Sequence, residues 1–310
     1  MSTKRATREA YGELLKELAE THTDLVVMDA DLSGSTKSGE FKKVAPERFI
    51  NVGIAEQNLF GIAAGVALSG KIVCASTFAM FAAGRAFEII RNAIGYTGAN
   101  VKICATHAGI TVGEDGATHQ TFEDIALMRT IPGMTVINPA DFISAKILLK
   151  QAIDTHGPAY VRLGRAAIED IYSKETNLEI GKGAVLRDGK DVAIIATGIM
   201  VSEALKAAEM LSEEDISARV IDIHTIKPLD EDIILEAASE VGCIVTAEEH
   251  SVIGGLGSAV CELVSAKAPS QVIRIGQNDT FGESGKPEEL KEKYGMTAQA
   301  IVDKIKEEMF

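Results

Sequence analysis

The sequence predicts an α/β protein built of two doubly wound domains. Three observations carry that expectation. Short Val- and Ile-rich runs alternate with longer helical patterns along the chain. The connections are short, which calls for mostly parallel strands with helices covering both faces of each sheet. Finally, 310 residues suffice for two ordinary domains, each burying a core of its own.

In the first half, LVVMDA (25–30), FINVG (49–53), KIVCAST (71–77), VKICATH (101–107), MTVIN (134–138) and AYVRL (159–163) read as buried strands. Helices are expected over 54–69, 79–95, 121–130 and 140–153. After Leu163 the periodicity lapses into a polar stretch. A linker over 166–188 is therefore expected between a first domain over 1–165 and a second over 189–310. The second unit resumes with DVAIIATG (191–198), a helix to 212, ARVIDIHTI as one extended run, a helix over 231–239, GCIVTAEEH, a helix from 255, and VIRIG (272–276). Pro228 and the Gly254-Gly255 pair fit helix entry points.

Lys and Arg number 31 against 45 Asp and Glu, for a net charge of −14, and the acidic residues are spread along the chain. Nucleic acid and anionic membranes reward basic patches, so neither is expected as a principal partner. A small anionic ligand would need a local basic pocket. Cys74, Cys104, Cys243 and Cys261 are far apart and form no C-x-x-C pair, which indicates core residues in a reducing compartment rather than a zinc site or disulfide framework. The N-terminal stretch is amphipathic and charged, and no run reaches 18 uninterrupted apolar residues. A soluble, cytoplasmic protein is expected.

Ligands of open α/β sheets bind beyond the carboxyl ends of the strands. Asp31 and Ser35 follow the first strand, Glu56 the second, Phe78 the third, and the stretch from His107 to His119 the fourth. One crevice should collect them. GIAEQN (53–58) sets the carboxylate of Glu56 among apolar neighbours, where ionisation is costly unless a partner compensates it. THAGITVGEDGATHQ (106–120) is long and polar, and Gly109, Gly113 and Gly116 let its backbone fold close to a ligand. His107, Asp115 and His119 would then converge; a solvated surface loop or a metal site are the alternatives, the latter without a familiar ligand spacing. The serine-rich turn DADLSGSTKSG suits phosphate but is not a P-loop, and GGLGSA (254–259) fits tight helix packing better than a dinucleotide site. Phe78 and Phe81 are either core aromatics or a stacking platform for a flat ligand.

GIAEQN, STFAMF, THAGITVGEDGATHQ, NPAD and DTFGESGKPEELKEKYGMT occur in an order that resembles the C-terminal half of a transketolase over essentially the whole chain. The resemblance implies a pyrimidine-binding domain followed by the family's C-terminal domain. It implies that Glu56 hydrogen-bonds the N1′ ring nitrogen of the aminopyrimidine of thiamine diphosphate, favouring the imino tautomer that deprotonates the thiazolium. It makes Phe78 and Phe81 an aromatic wall against that ring and Asp31 a cofactor-proximal carboxylate. His107, Asp115 and His119 would meet sugar hydroxyls and the reacting carbonyl. Arg8, Ser35, His107 and Arg165 would hold a substrate phosphate. Gly84 departs from the pattern, standing where many transketolases carry a third aromatic.

The G-D-G motif with which such enzymes hold diphosphate and Mg²⁺ or Ca²⁺ is absent. The chain is therefore expected to be half an enzyme, with metal and diphosphate on a separate N-terminal transketolase subunit and two copies of each chain. The activity so implied is transfer of a two-carbon ketol unit between ketose and aldose phosphates, by a chain active only with its partner. The alternatives are a 1-deoxyxylulose-5-phosphate synthase-like enzyme, which normally has Asp-Arg where this chain has Thr106-His107, and a non-catalytic transketolase-like assembly subunit.

Overall fold

The computed structural model describes residues 4–309; Met1–Thr3 of the amphipathic N-terminal stretch lie outside the described residues. The first part of the chain runs β1 (Lys4–Ala6), α1 (Thr7–Leu18), β2 (Leu25–Asp29), the single turns α2 (Ser33–Thr36) and α3 (Gly39–Lys42), and β3 (Phe49–Asn51). It continues with α4 (Glu56–Leu68), β4 (Ile72–Phe78), α5 (Phe87–Ile89), β5 (Val101–Thr106), α6 (Asp124–Arg129), β6 (Thr135–Ile137), α7 (Phe142–Asp154) and β7 (Ala159–Arg162). The second part runs β8 (Ala167–Glu169), β9 (Ala184–Arg187), β10 (Val192–Ala196), α8 (Met200–Ser212), β11 (Ala218–Asp222), β12 (Thr225–Lys227) and α9 (Glu231–Glu240). It ends with β13 (Ile244–Ser251), α10 (Leu256–Lys267), β14 (Val272–Gln277), α11 (Pro287–Lys293) and α12 (Ala298–Met309).

Two α/β units result, as the alternation predicts. A seven-stranded sheet has the order β12-β6-β7-β5-β4-β2-β3, parallel except for β12, and a five-stranded sheet has the order β14-β13-β10-β11-β9, parallel except for β9. Strands β2, β5 and β10 are buried along their whole length, the mark of a sheet covered on both faces. Helix α1 buries Ala10, Tyr11, Leu14, Leu15 and Leu18 on one stripe against α7, and the Glu9 carboxylate accepts from the Ala6 N–H (2.9 Å) at its start. Helix α7 is capped by Asp141, which accepts from Ser144 N (2.7 Å) while its other oxygen takes Ile171 N and Tyr172 N (2.6 and 2.8 Å). One buried carboxylate thus stops the helix and fastens the chain that leaves the first sheet.

Three features depart from the sequence-based expectation. The single helix expected over 79–95 is broken into π-helical turns over Phe81–Arg85 and Ile90–Gly95 around the short α5, with Ala86 N bonding Phe81 O and Tyr96 N bonding Arg91 O. Hydrophobic periodicity reports a helix but not its winding. ARVIDIHTI divides: β11 stays in the second sheet, whereas β12 crosses to pair antiparallel with β6. The run is continuous in apolar character, and nothing local marks the change of sheet. Strands β1, β8 and β9 and helices α11 and α12 add to the expected elements, the strands being only three or four residues long. The four cysteines are free, three of them buried and Cys261 partly so. Among the described residues no helix is long and apolar enough to cross a membrane.

Candidate functional site

The carboxyl ends of the neighbouring parallel strands β3, β2, β4 and β5 lie side by side in the first sheet. Asp29 closes β2 in full burial; its carboxylate accepts from Leu32 N (2.5 Å), Thr36 Oγ1 (2.7 Å) and Ser38 Oγ (2.8 Å), and so shapes the serine-rich turn from within. Burial pushes its pKa up, against those three bonds. Asp31, two residues on, is exposed at the rim with φ +66, and pairs with Asn51 (3.0 Å) rather than with another predicted site residue. Asn51 in turn accepts from Gly53 N (2.9 Å), setting the turn that leads into α4.

Glu56 begins α4 and is 2 % exposed. It is not the solitary carboxylate its apolar neighbours suggest. Arg85, brought over by the first π-helical turn, donates Nη1 to Glu56 Oε2 at 3.1 Å and lies 5.5 Å from the Phe81 ring. A guanidinium from 29 positions away therefore compensates the charge. Sequence reasoning missed it because a pairing across two elements leaves no local pattern.

Phe78 and Phe81 stack nearly parallel, centroids 5.9 Å apart at 14°. Phe78 also stacks on His107 at 3.9 Å, and His119 stands edge-on to Phe81 at 5.5 Å. Phe78 is buried and packs against both Phe81 and His107, whereas Phe81 stays partly exposed.

His107 has a left-handed backbone, φ +58, and is buried. Arg8 Nη1 lies 3.0 Å from His107 Nε2, and Thr106 Oγ1 lies 2.8 Å from Nδ1. A guanidinium only donates, so Nε2 accepts and the ring proton sits on Nδ1, donated to Thr106. Burial first, then Arg8, Arg165, His119 and Lys37, pushes the imidazole pKa down to about 3. His107 is thus a neutral acceptor in a cationic setting.

Arg8, Ser35 and His107 are brought together, though Ser35 offers its carbonyl to Arg8 Nη1 (2.9 Å) and not its hydroxyl to the crevice. Arg165 is near enough to Arg8 to depress its pKa, after burial. It donates to Val112 O (2.6 Å) and pairs loosely with Asp115 (3.6 Å) and Glu114 (3.8 Å). Asp115 therefore faces Arg165 and does not complete a cluster with His107 and His119. Among the described residues no group of three or more His, Cys, Asp or Glu is placed to hold a metal.

The loop owes its course to Gly109, Gly113 and Gly116, at φ +80, +82 and +76. GGLGSA serves a different end: it wraps Glu248, whose two oxygens accept Leu256 N (2.7 Å) and Gly257 N (2.8 Å) at the start of α10. The protein's own carboxylate fills the anion position at that helix N-terminus.

Residues 3–170 match the family model of the transketolase pyrimidine-binding domain, and residues 181–301 that of the transketolase C-terminal domain. The chain belongs to the transketolase family. A putative transketolase C-terminal section of Methanocaldococcus jannaschii is 53 % identical over 98 % of this chain and 96 % of that protein. Human transketolase is 38 % identical over 98 % of this chain and 49 % of that protein, so the chain spans about half the length of that relative. Among solved structures, a split-gene transketolase in an inactive beta4 tetramer matches with TM-score 0.91 and 54 % identity over 97 % of both chains. The transketolase of Leishmania mexicana matches with TM-score 0.82 and 26 % identity over 99 % of this chain and 46 % of that one.

The inactive tetramer corrects the expectation of an active transketolase that transfers ketol units. In this transketolase-family chain Glu56 is paired with Arg85, and the Nε2 lone pair of His107 faces Arg8.

Proposed function

We propose that this chain is a non-catalytic assembly subunit of the transketolase family, which self-associates and presents a preformed half-site for thiamine diphosphate. The chain divides on this reading into a pyrimidine-binding domain over 1–165, a connection over 166–188 and a C-terminal domain over 189–310. The observation that carries the assembly is the open face of α4. Among the described residues nothing lies within 4 Å of where a Cβ would stand on Gly61 or Gly65, and Ile62 and Leu68 of the same helix and Ile54 just before it are 37, 61 and 79 % exposed. Small residues flanked by exposed aliphatic ones suit close approach of a second backbone. The inactive beta4 tetramer of the similar split-gene chain supplies the kind of partner: further copies of the same chain.

The residues present fit the aminopyrimidine end of thiamine diphosphate. Its ring would lie along Phe81 and Phe78, with the Glu56 carboxyl sharing a proton in a hydrogen bond to N1′ and Asp31 at the rim. When bound, the cofactor supplies a thiazolium carbon that can carry negative charge. Mg²⁺ or Ca²⁺ and the diphosphate would be held by a separate N-terminal transketolase subunit. Arg8, aimed by the Ser35 carbonyl, would meet a sugar phosphate together with Arg165 and His107, while Asp115 would restrain Arg165 and His119 would border the ring slot.

Light scattering on the full chain tests the assembly. A tetramer is expected, falling to smaller, folded species for Ile62→Asp; a monodisperse monomer would overturn the reading. Supplied also with an N-terminal transketolase subunit, thiamine diphosphate, Mg²⁺, a ketose phosphate and an aldose phosphate, the chain should show no two-carbon transfer, and turnover would overturn the non-catalytic reading.

A further inference from the structure

The loop over 106–120 has to be held, because it contains four left-handed residues, His107, Gly109, Gly113 and Gly116, and one of them carries a side chain. The restraint comes from the other domain. Glu249, in β13, is 3 % exposed and its Oε1 accepts from Thr111 N at 2.7 Å, across 138 positions of sequence. The carboxylate lies flat against the loop: a Cβ on Gly109 would stand 2.2 Å from Glu249 Cδ. Arg162, from the strand beside β5, donates Nη2 to Glu249 O (2.8 Å), places Nη1 3.8 Å from Glu249 Oε2, and is itself pinned by Asp124 (2.8 Å). The same domain grips the loop a second time. Gln120 Nε2 donates to Glu283 O (2.9 Å), and Gly116 and Gly113 lie against Ser284 and Pro287.

We propose that Glu249 is the positioning residue of this loop, so that the C-terminal domain sets the orientation of His107 against Phe78 and Arg8. The proposal deepens the half-site reading and rests on it only where a ligand is concerned. Two roles for Glu249 predict opposite orders of tolerance. If it acts through the bond to Thr111 N, the neutral amide introduced by Glu249→Gln, which keeps an oxygen of the same reach, preserves the loop, whereas a shorter acid does not. If it acts only as the counterion of Arg162, the shorter acid is tolerated and the amide is not.

The test uses the full chain with Glu249→Gln and Glu249→Asp, and reads the ring nitrogen shifts of His107 by NMR. Glu249→Gln is expected to keep the wild-type signature of a proton on Nδ1 and an accepting Nε2. Glu249→Asp, folded and with its charge beside Arg162, is expected to lose that signature into a mixture of tautomers. An unchanged His107 spectrum in Glu249→Asp, or a loss confined to Glu249→Gln, overturns the proposal. Calorimetric titration with thiamine diphosphate and Mg²⁺ adds a second reading, with Glu249→Asp expected to bind about tenfold more weakly, the loss of one charge-assisted hydrogen bond. No binding by the unaltered chain, combined with the expected change at His107, would sink the half-site reading and leave the positioning role standing.

Discussion

The two sheets end differently at the side where open α/β folds receive ligands. In the first, the ends of β2 to β5 lead into segments that leave groups partly uncovered: the cations Arg8 and Arg165 lie close to one another, and Phe81 is only partly covered. In the second, the equivalent ends are stoppered by the protein itself. Gly198, just past β10, leaves no space for a Cβ, which would meet Asn138 Nδ2 at 2.6 Å. Asp222, the last residue of β11, is fully buried and accepts from Tyr172 Oη (2.7 Å), and Glu248 occupies the start of α10. The same topology therefore yields a receptive end and a closed one. The difference lies in which side chains return to cover the strand ends, and topology alone does not decide function.

The comparison can be broken first where it predicts most. Glu248→Ala strips two buried N–H groups of their acceptor at the closed end and should cost about 2–4 kcal/mol of unfolding free energy in denaturant melts; a loss under about half a kilocalorie would mean that the stopper is ornamental. Asp222 sharpens the same point through pH. Burial pushes its carboxyl up to about 7, above its unfolded value, so its stabilising contribution is full below about pH 4 and is lost as pH rises through 7. Asp222→Asn should remove that slope, gaining on the unaltered chain at about pH 8 relative to about pH 5, and parallel pH profiles for the two proteins would contradict it. At the receptive end stability should hardly move. Phe81→Ala is expected to lower affinity for thiamine diphosphate severalfold, about 1 kcal/mol for a lost aromatic contact, with little change in melting temperature. Asp31→Ala, at the exposed rim, should fall within about 0.5 kcal/mol in unfolding free energy.

Much of this is legible in the sequence. Apolar runs such as LVVMD and VKICAT are strands because both faces are buried, and a period-free run bounded by glycine and polar turns says so locally. The adjacency of the strand ends was legible from the alternation, and the close-folded loop over 106–120 from its three glycines in eight positions. What escaped was everything that depends on partners distant in sequence. Arg85 beside Glu56, Glu249 beside Thr111 and the passage of β12 into the other sheet leave no periodic trace. One sequence signal does point to such partners: AEEH closes an apolar strand with two carboxylates, and buried carboxylates require donors. Glu248 finds them in its own domain, Glu249 in the neighbouring one.

The short strand β12 has a consequence for crowding. It gives the larger sheet a border only three residues long, followed at once by Pro228, which has no N–H to offer, while the opposite border, β3, is equally brief. The larger sheet thereby offers almost no ladder for lateral, fibre-like growth, which leaves helix faces such as that of α4 as the surfaces on which the proposed self-association would form.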